Sequence, residues 1–340
     1  MSAVGIVANP AAGKDVRRLV AHAAPVADGT KIGVVRRAVI GAAGAGVDRV
    51  VLSRDARGIT ERAVENLDVD TEIVVLDEPV FGDRSDTVAA ARRFAKDRFA
   101  EDSASEGDGV GALIVLGGDG TARDVATGWL DAPMLALSTG TNNVFPAAVE
   151  PTVAGMAAAA VARGSVPLDL AADRMNAIHV RIERVAGPVV DEVALVEVAL
   201  VDERFTGSRA VWDPATLREV VACIAEPASV GLSAVAGLVH PSPRTRPGGV
   251  HVRFGGDRVV RAPMLPGAVV EMSVGGADPL AAGDEVPLVG PGVVSFDGER
   301  DVVLADGDVA WCRVELDGPW VIDPGRALEQ AAARGFVDGR

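Results

Sequence analysis

LGGDGTARDV, residues Leu116–Val125, follows an apolar run and precedes a segment of helical character. Three glycines surround a single aspartate, Asp119, where the predicted strand becomes the predicted helix. Glycine suits the tight turn of such a junction, and the junction also presents backbone N–H groups to an anion. On its own, the stretch is explained equally well as a structural turn and as the centre of a phosphate-binding site.

The first half of the chain alternates between short apolar runs and helical patterns, and this alternation predicts a parallel sheet covered on both faces. The motif GAAGAG at Gly41–Gly46 predicts a closely packed helix end with a glycine cap. Asp86 is the predicted N-cap of its helix. The predicted strands are Val4–Ala8, 47–53, Thr71–Asp77, 111–116 and Met134–Leu137, and the predicted helices begin at Asp15 or span Val34–Ala45, Asp86–Phe99, Thr121–Leu130 and Pro151–Arg163.

From about Asp169 the pattern changes to short, valine-rich runs bounded by Gly, Pro or Asp. Such runs are typical of an antiparallel sandwich or barrel. A helix is predicted at Ala215–Ala225, and the tail Pro324–Arg334 returns to a helical pattern. The sequence therefore predicts an α/β domain over residues 1–168, completed by 323–340, and an all-β domain over 169–322.

The composition limits the classes of partner. Hydrophobic residues make up 49% and charged residues 24% of the 340 residues, which indicates a globular protein. The formal net charge of −15 disfavours nucleic acid and anionic membranes as partners. Two distant cysteines, and no signal-peptide or membrane-span pattern, predict a cytoplasmic protein without stable membrane association. So acidic a protein must hold a polyanion such as ATP through backbone N–H groups, a metal ion or a few placed cations.

Three strand–helix junctions are rich in Gly, Asn and Thr, namely Ala8–Asp15, Gly117–Asp124 and Ser138–Asn143. In a parallel sheet these junctions lie at the carboxyl ends of the strands, where such folds bind ligands. The first junction does not fit a Walker A loop, and the second does not fit a dinucleotide fingerprint. An aspartate between glycines can accept a proton from a hydroxyl or hold Mg²⁺ through water. Together, the three loops favour phosphate binding over three unrelated turns.

The combination of motifs resembles the NAD kinase and diacylglycerol kinase superfamily, and specifically its ATP–NAD kinase-like family. GGDGT at Gly117–Thr121, the N-terminal NPAAGK, STGTNNVFP at Ser138–Pro146 and FDGE at Phe296–Glu299 carry the resemblance. Residues 199–214 and 226–237 look like the acetoin catabolism X group within that family. The resemblance covers nearly the whole chain. It implies an N-terminal Rossmann-like three-layer domain, a C-terminal β-sandwich, a nucleotide in the cleft between them and a homo-oligomer.

The resemblance also implies roles for individual residues. Asp119 would be the catalytic carboxylate or the organiser of a Mg²⁺ ion, and Glu299 a second carboxylate from the β domain. Glu197 matches the glutamate of an Asn-Glu pair that contacts the dinucleotide in NAD kinases, whereas Val196 replaces the asparagine. The residues expected to bind the ATP cofactor are Asn9, Gly13, Lys14, Gly117, Gly118, Gly120, Thr121, Thr139, Gly140, Thr141, Asn142 and Asn143.

Three functions remain open at this point. The first is an ATP-dependent phosphotransferase that acts on a hydroxyl of NAD(H) or a related small metabolite. The second is a lipid kinase for diacylglycerol or a sphingoid base, favoured by STGTNN and FDGE. The third is a nucleotide-binding regulatory protein without turnover, favoured by the missing acceptor motifs. Arg123 is a further candidate, either for phosphate contact or for a salt bridge on its helix, and Arg244 lies on a loop that either overhangs the cleft or is simply exposed.

Overall fold

The computed structural model describes residues 1–13, 26–99, 109–139, 143–205, 210–211 and 213–336. The helical pattern predicted from Asp15 and the predicted site residues Lys14, Gly140, Thr141 and Asn142 lie outside these ranges. Within the described ranges, no helix is both long and apolar enough to span a membrane.

A seven-stranded sheet forms the centre of the first domain, as the alternating pattern predicts. Its strands are β1 (Ala3–Ala8), β2 (Arg49–Leu52), β3 (Glu72–Val75), β4 (Val110–Gly117), β5 (Pro133–Ser138), β6 (Ala172–Arg174) and β17 (Trp320–Ile322). Their order is β3-β2-β1-β4-β5-β17-β6. All neighbours pair in parallel except β17 and β6.

Helices cover both faces of this sheet. They are α1 (Asp28–Gly44), α2 (Ile59–Val64), α3 (Arg84–Phe99), α4 (Asp119–Gly128), α5 (Pro151–Ala162), α6 (Leu168–Ala171) and α8 (Pro324–Ala333). Successive residues of β1 point to opposite faces: Val4 and Ile6 pack with α1, α2, α5 and α8, while Ala3 and Val7 pack with α3 and α4. The sheet is apolar on both faces, as a parallel sheet between two helix layers requires.

The rest of the chain forms two antiparallel sheets. The strands are β7 (Ala177–Glu183), β8 (Val190–Ala194), β9 (Glu197–Val201), β10 (Leu217–Ala222), β11 (Gly249–Leu265), β12 (Ala268–Leu280), β13 (Glu285–Val289), β14 (Gly292–Phe296), β15 (Glu299–Leu304) and β16 (Val309–Glu315). The six-stranded sheet has the order β12-β11-β10-β9-β14-β15, and the four-stranded sheet β13-β16-β7-β8. Val180 of one sheet and Leu200 of the other share one apolar core, which makes the pair a β-sandwich.

The helix predicted over Ala215–Ala225 is wrong. Pro214–Thr216 forms one 3₁₀ turn, and β10 follows it as a central strand between β9 and β11. Val220 and Val221 lie on opposite faces of β10, and both are buried. Two hydrogen-bonded neighbour strands and burial on both faces outweigh the local helical pattern. The short helix α7, Leu232–Val239, was not predicted.

Asp86 is not the N-cap of its helix, because α3 begins at Arg84. The Asp86 carboxylate instead accepts hydrogen bonds from the backbone N–H groups of Phe81 and Gly82, each at 2.8 Å. It therefore holds the turn that leads into the helix rather than the first helical turn itself.

Glycines allow α1 and α5 to pack backbone to backbone, in agreement with the interpretation of GAAGAG. A Cβ atom on Gly41 would lie 2.1 Å from the Thr152 carbonyl oxygen, and one on Gly155 would lie 2.1 Å from that of Ala38. Gly46 ends the α1 segment at φ +74°, a conformation that favours glycine.

The chain returns to the first domain near its end. Strand β17 pairs with β5 and β6, and α8 packs against the helices of one sheet face. Both β6 and β17 lie within the range predicted for the second domain. The domain limits themselves stay a prediction.

Candidate functional site

The glycine-rich stretch is the junction between β4 and α4. Gly118 is extended (φ −109°, ψ −169°), and α4 begins at Asp119 without a side-chain cap. A Cβ atom on Gly117 would lie 2.4 Å from the Oγ1 atom of Thr121, so a larger residue does not fit there. The junction thus places a helix N-terminus at the carboxyl end of a central strand, where an anion is favoured.

Asp119 is nearly buried, with 8% of its surface exposed. Its Oδ1 atom accepts hydrogen bonds from the backbone N–H groups of Val144 (3.0 Å) and Phe145 (2.8 Å), and its Oδ2 atom accepts one from Val144 (3.1 Å). The donors belong to the loop after β5, which contains the third predicted motif. Backbone N–H donors stabilise the carboxylate charge and hold its orientation.

The N-terminal loop Asn9–Gly13 lies beside this junction. The Asn9 side-chain amide donates to Thr121 Oγ1 at 2.9 Å and accepts from the Ala11 N–H at 2.8 Å. Gly13 has φ +72°, and a Cβ atom there would lie 2.6 Å from the Thr139 carbonyl oxygen. The three predicted loops are therefore in mutual contact.

Lys31, on the first turns of α1, lies beneath this loop with none of its surface exposed. Its Nζ atom donates to the carbonyl oxygens of Asn9 (3.1 Å), Pro10 (2.9 Å) and Ala12 (2.8 Å). The C=O and N–H of a trans peptide point in opposite directions, so the Gly13 N–H points away from Lys31. The buried ammonium thus orients the loop and adds positive charge under it.

The FDGE motif lies opposite α4 and comes from the β domain. Asp297 has φ +49° and accepts hydrogen bonds from the N–H groups of Leu195, Val196 and Glu197 at 2.8–3.2 Å. Burial raises the pKa of Asp297 to about 6, although these bonds and the charge of Arg123 lower it.

Glu299 contributes the second predicted carboxylate. Its carboxylate group lies 3.5 Å from the position that a Cβ atom on Gly120 would occupy. Glycine at this position therefore leaves the space between the start of α4 and the β domain open.

A cluster of charges joins the two domains at one end of the cleft. Arg84 pairs with Asp124 (3.0 Å), Glu192 (3.4 Å) and Asp301 (3.3 Å). Arg123 pairs with Asp301 at 2.8 Å and also lies over the ring of Phe296. Burial raises the pKa of Asp124 to about 6, although the two guanidinium groups lower it. Arg123 is therefore engaged in a salt bridge between the domains, whereas the sequence-based alternative to phosphate contact was a salt bridge on its own helix.

Glu197 begins β9 and is 5% exposed. With Asp119 and Asp297 it lines a small cavity of about 20 Å³ whose other walls include Val211 and Leu232. Thr139 is buried behind Gly13, and Asn143 lines the main cleft. The structure thus brings the described predicted residues to one region between the domains.

A cleft of about 690 Å³ opens in front of the loops. Its described walls carry eight carboxylates and four guanidinium groups, and each of those arginines is paired with a carboxylate. The arginines are Arg54, Arg57, Arg84 and Arg123. The cleft is acidic, so a polyphosphate placed there would depend on backbone donors, on Lys31 and on added cations.

Among the described residues, no group of three or more His, Cys, Asp or Glu side chains could hold a metal ion by itself. Mg²⁺ commonly takes only one or two protein carboxylates and completes its shell with phosphate oxygens and water. Asp119 as a metal organiser stays a prediction.

Residues 4–166 match the model of the ATP-NAD kinase N-terminal domain, and residues 176–317 match that of the acetoin catabolism protein X C-terminal domain. Acetoin catabolism protein X of Cupriavidus necator is 33% identical over 317 residues, which cover 90% of this chain and 85% of that protein. The chain belongs to the ATP–NAD kinase-like family, in its acetoin catabolism protein X group.

The fold agrees with this family membership. The crystal structure of yeast NADH kinase complexed with NADH matches with a TM-score of 0.54 at 12% identity, over 100% of this chain and 89% of that one. The predicted architecture, a parallel α/β domain followed by a β-sandwich, is confirmed.

Sequence reasoning missed several residues that shape the site. Lys31 lies in no motif, and the residues around it in the sequence do not indicate a functional site. Its contacts with the Asn9–Gly13 loop are seen only in the folded structure. Asp297 belongs to the FDGE motif, but the family resemblance implied a role only for Glu299 in that motif. Arg84 and Asp124 come from helices whose relative position no local pattern predicts.

Proposed function

We propose that the protein is an ATP-dependent phosphotransferase that transfers a phosphoryl group to a hydroxyl of NAD(H) or of a related small metabolite. One observation carries the proposal. Asp119, the uncapped N-terminus of α4 and the Asn9–Gly13 loop all face one cleft between two domains, with Glu299 on its opposite wall. Family membership agrees with this chemistry.

The residues divide the work as follows. The N-terminus of α4 and the loop above Lys31 hold the phosphates of the nucleotide through backbone N–H groups. Asp119, oriented by the Val144 and Phe145 amides, accepts the proton of the acceptor hydroxyl. The new O–P bond forms as the bond to the nucleoside diphosphate breaks.

The acidic walls fit a nucleotide that arrives with a divalent cation. Asp119 and Glu299 face the cleft and are of the ligand type that Mg²⁺ prefers. When bound with the nucleotide, Mg²⁺ supplies charge neutralisation for the phosphates.

The test is a turnover assay with ATP and Mg²⁺ against NAD, NADH and a panel of hydroxylated metabolites, with products identified by mass spectrometry. Asp119→Asn is compared with wild type, and the exposed Asp306→Asn serves as the matched control. We expect Asp119→Asn to lower turnover about 10²- to 10⁴-fold and the control to be unchanged. Equal turnover in both variants would remove Asp119 from the mechanism.

A second candidate, a nucleotide-binding regulator without turnover, is supported by Val196 at the position of the NAD kinase asparagine and by the 20 Å³ cavity beside Asp119. Tight ATP or dinucleotide binding by calorimetry, with no transfer to any acceptor, would favour it. Diacylglycerol and sphingosine in mixed micelles extend the same assay to the lipid kinase alternative.

A further inference from the structure

Arg244 lies on the loop between α7 and β11, and its side chain is 30% exposed. It forms a two-pronged ion pair with Glu226: Nε donates to Oε1 at 2.9 Å and Nη2 to Oε2 at 2.7 Å. The bridge between Ala225 and Ser242 holds the two segments side by side. The guanidinium in turn holds the pKa of Glu226 below its ordinary value. Arg244 is therefore fixed from within the β domain.

From this position, Arg244 reaches the other domain. Its Nη2 atom donates to the Val144 carbonyl oxygen at 2.9 Å, and Nη1 to that of Phe145 at 3.5 Å. These are the two residues whose N–H groups bind Asp119.

One peptide group connects the arginine to the aspartate. The Val144 carbonyl and the Phe145 N–H belong to the same peptide, so its oxygen accepts from Arg244 while its nitrogen donates to Asp119 Oδ1 at 2.8 Å. A cation on the carbonyl withdraws electron density from the peptide and strengthens its N–H as a donor. Asp119 and Arg244 are thus linked through a polarised peptide, across the domain boundary.

We propose that Arg244 is a positioning residue for Asp119, which it orients through the Val144–Phe145 peptide while Glu226 holds its guanidinium. This inference rests on the phosphotransferase function proposed above, since it assigns Arg244 to the same reaction. It also differs from the roles expected from the sequence, because the side chain is neither simply exposed nor among the described residues that line the cleft.

Arg244 acts at one remove from the ligands. It is absent from the described residues that line the 690 Å³ cleft. Its Nε, Nη1 and Nη2 atoms all donate to protein acceptors. Loss of the side chain should therefore change the placement of Asp119 more than the affinity for nucleotide.

The test compares Arg244→Met, Arg244→Lys and Glu226→Gln with wild type. Arg246→Met is the matched control, because Arg246 lies two residues further along the same loop and is exposed. For each variant, kcat and KM of phosphoryl transfer, the Kd of the Mg²⁺–nucleotide by calorimetry, and Tm are measured. The amide proton shifts of Val144 and Phe145 are recorded by NMR, with Asp119→Asn as reference.

We expect Arg244→Met to lower kcat about 10- to 100-fold, with Kd changed by less than about threefold. Arg244→Lys and Glu226→Gln should fall between it and wild type, and Arg246→Met should match wild type. The Phe145 amide should move upfield in Arg244→Met, as in Asp119→Asn, because its hydrogen bond weakens.

An unchanged kcat in Arg244→Met would overturn the proposal. So would a raised KM or Kd at constant kcat, since Arg244 would then contact substrate itself. A loss of kcat that merely follows the loss of folded protein in the Tm series would also overturn it. If wild type transfers phosphate to no acceptor, the proposed function fails; the NMR comparison then decides separately, and an unmoved Phe145 amide would refute the link to Asp119.

Discussion

Replacing Lys31 by methionine tests how the buried ammonium supports the Asn9–Gly13 loop. Methionine has a similar length and stays apolar, so the change removes the charge and its hydrogen bonds with little change in volume. Three carbonyl oxygens at 2.8–3.1 Å lose their donor and remain partly buried around the apolar methionine side chain.

The magnitude follows from two opposing effects. Hydrogen bonds to a charged group contribute about 1.5–3 kcal/mol each, so three amount to about 4.5–9 kcal/mol. Against this, the variant no longer buries an ammonium ion, which costs several kcal/mol. Because the carbonyls stay behind without partners, we expect a net loss of about 2–4 kcal/mol in the free energy of unfolding.

The assay combines thermal and denaturant unfolding with calorimetry of Mg²⁺–nucleotide binding. Lys96→Met is the matched control, since Lys96 is exposed on α3. We expect Lys31→Met to unfold about 5–10 °C lower and to bind nucleotide at least about tenfold more weakly, while Lys96→Met behaves as wild type. Lys31→Met with wild-type stability and affinity would refute both the structural and the electrostatic role of this lysine.

Three further predictions concern packing, protonation and metal. Gly155→Ala should lower the free energy of unfolding by about 1–3 kcal/mol, because its Cβ would lie 2.1 Å from the Ala38 carbonyl oxygen. Gly44→Ala is the control and should leave stability unchanged, since its Cβ would meet nothing within 4 Å. Denaturant titration compares the two variants. Burial raises the pKa of Asp297 from an ordinary 3.8 to about 6. This shift corresponds to about 3 kcal/mol of folding stability, which is fully present below pH 3.8 and is lost as the pH rises through 6. The Tm of wild type relative to Asp297→Asn should therefore increase as the pH falls from 7.5 to 5. A Tm difference that does not change with pH would contradict the raised pKa of Asp297. Removal of Mg²⁺ by EDTA should weaken ATP binding by more than about tenfold, because the described cleft walls are acidic; calorimetry with and without the chelator decides, and equal affinity would disprove the need for a cation.

Much of the fold could be predicted because its signals are local. The alternation of strands and helices up to α5, and the valine-rich runs after it, predict the two architectures that the structure shows. The helix predicted over Ala215–Ala225 is wrong because pairing with β9 and β11 decides the conformation of β10, and these partners lie far away in the sequence. The N-cap predicted at Asp86 is wrong because its carboxylate accepts hydrogen bonds from the loop before the helix.

The candidate site likewise contains residues that local sequence patterns indicate and residues that they do not. The glycine-rich loops around Asp119 stand out in the sequence because turns and anion-binding N–H groups need particular residue types at fixed spacings. Glu299 is expected only from the family resemblance. What the sequence by itself determined is therefore the two-domain kinase-like fold, and its motifs also predict a phosphate-binding site around Asp119.

Only the tertiary structure decided which groups surround that aspartate. Lys31 meets its loop about twenty residues away in the chain, and Arg244 reaches the Val144 carbonyl 100 residues away, across the domain boundary. Charged side chains such as these are ordinarily solvent-exposed. The sequence around them therefore does not distinguish them from ordinary surface residues. Their role arises from burial against backbone carbonyls, which packing creates and no local pattern encodes.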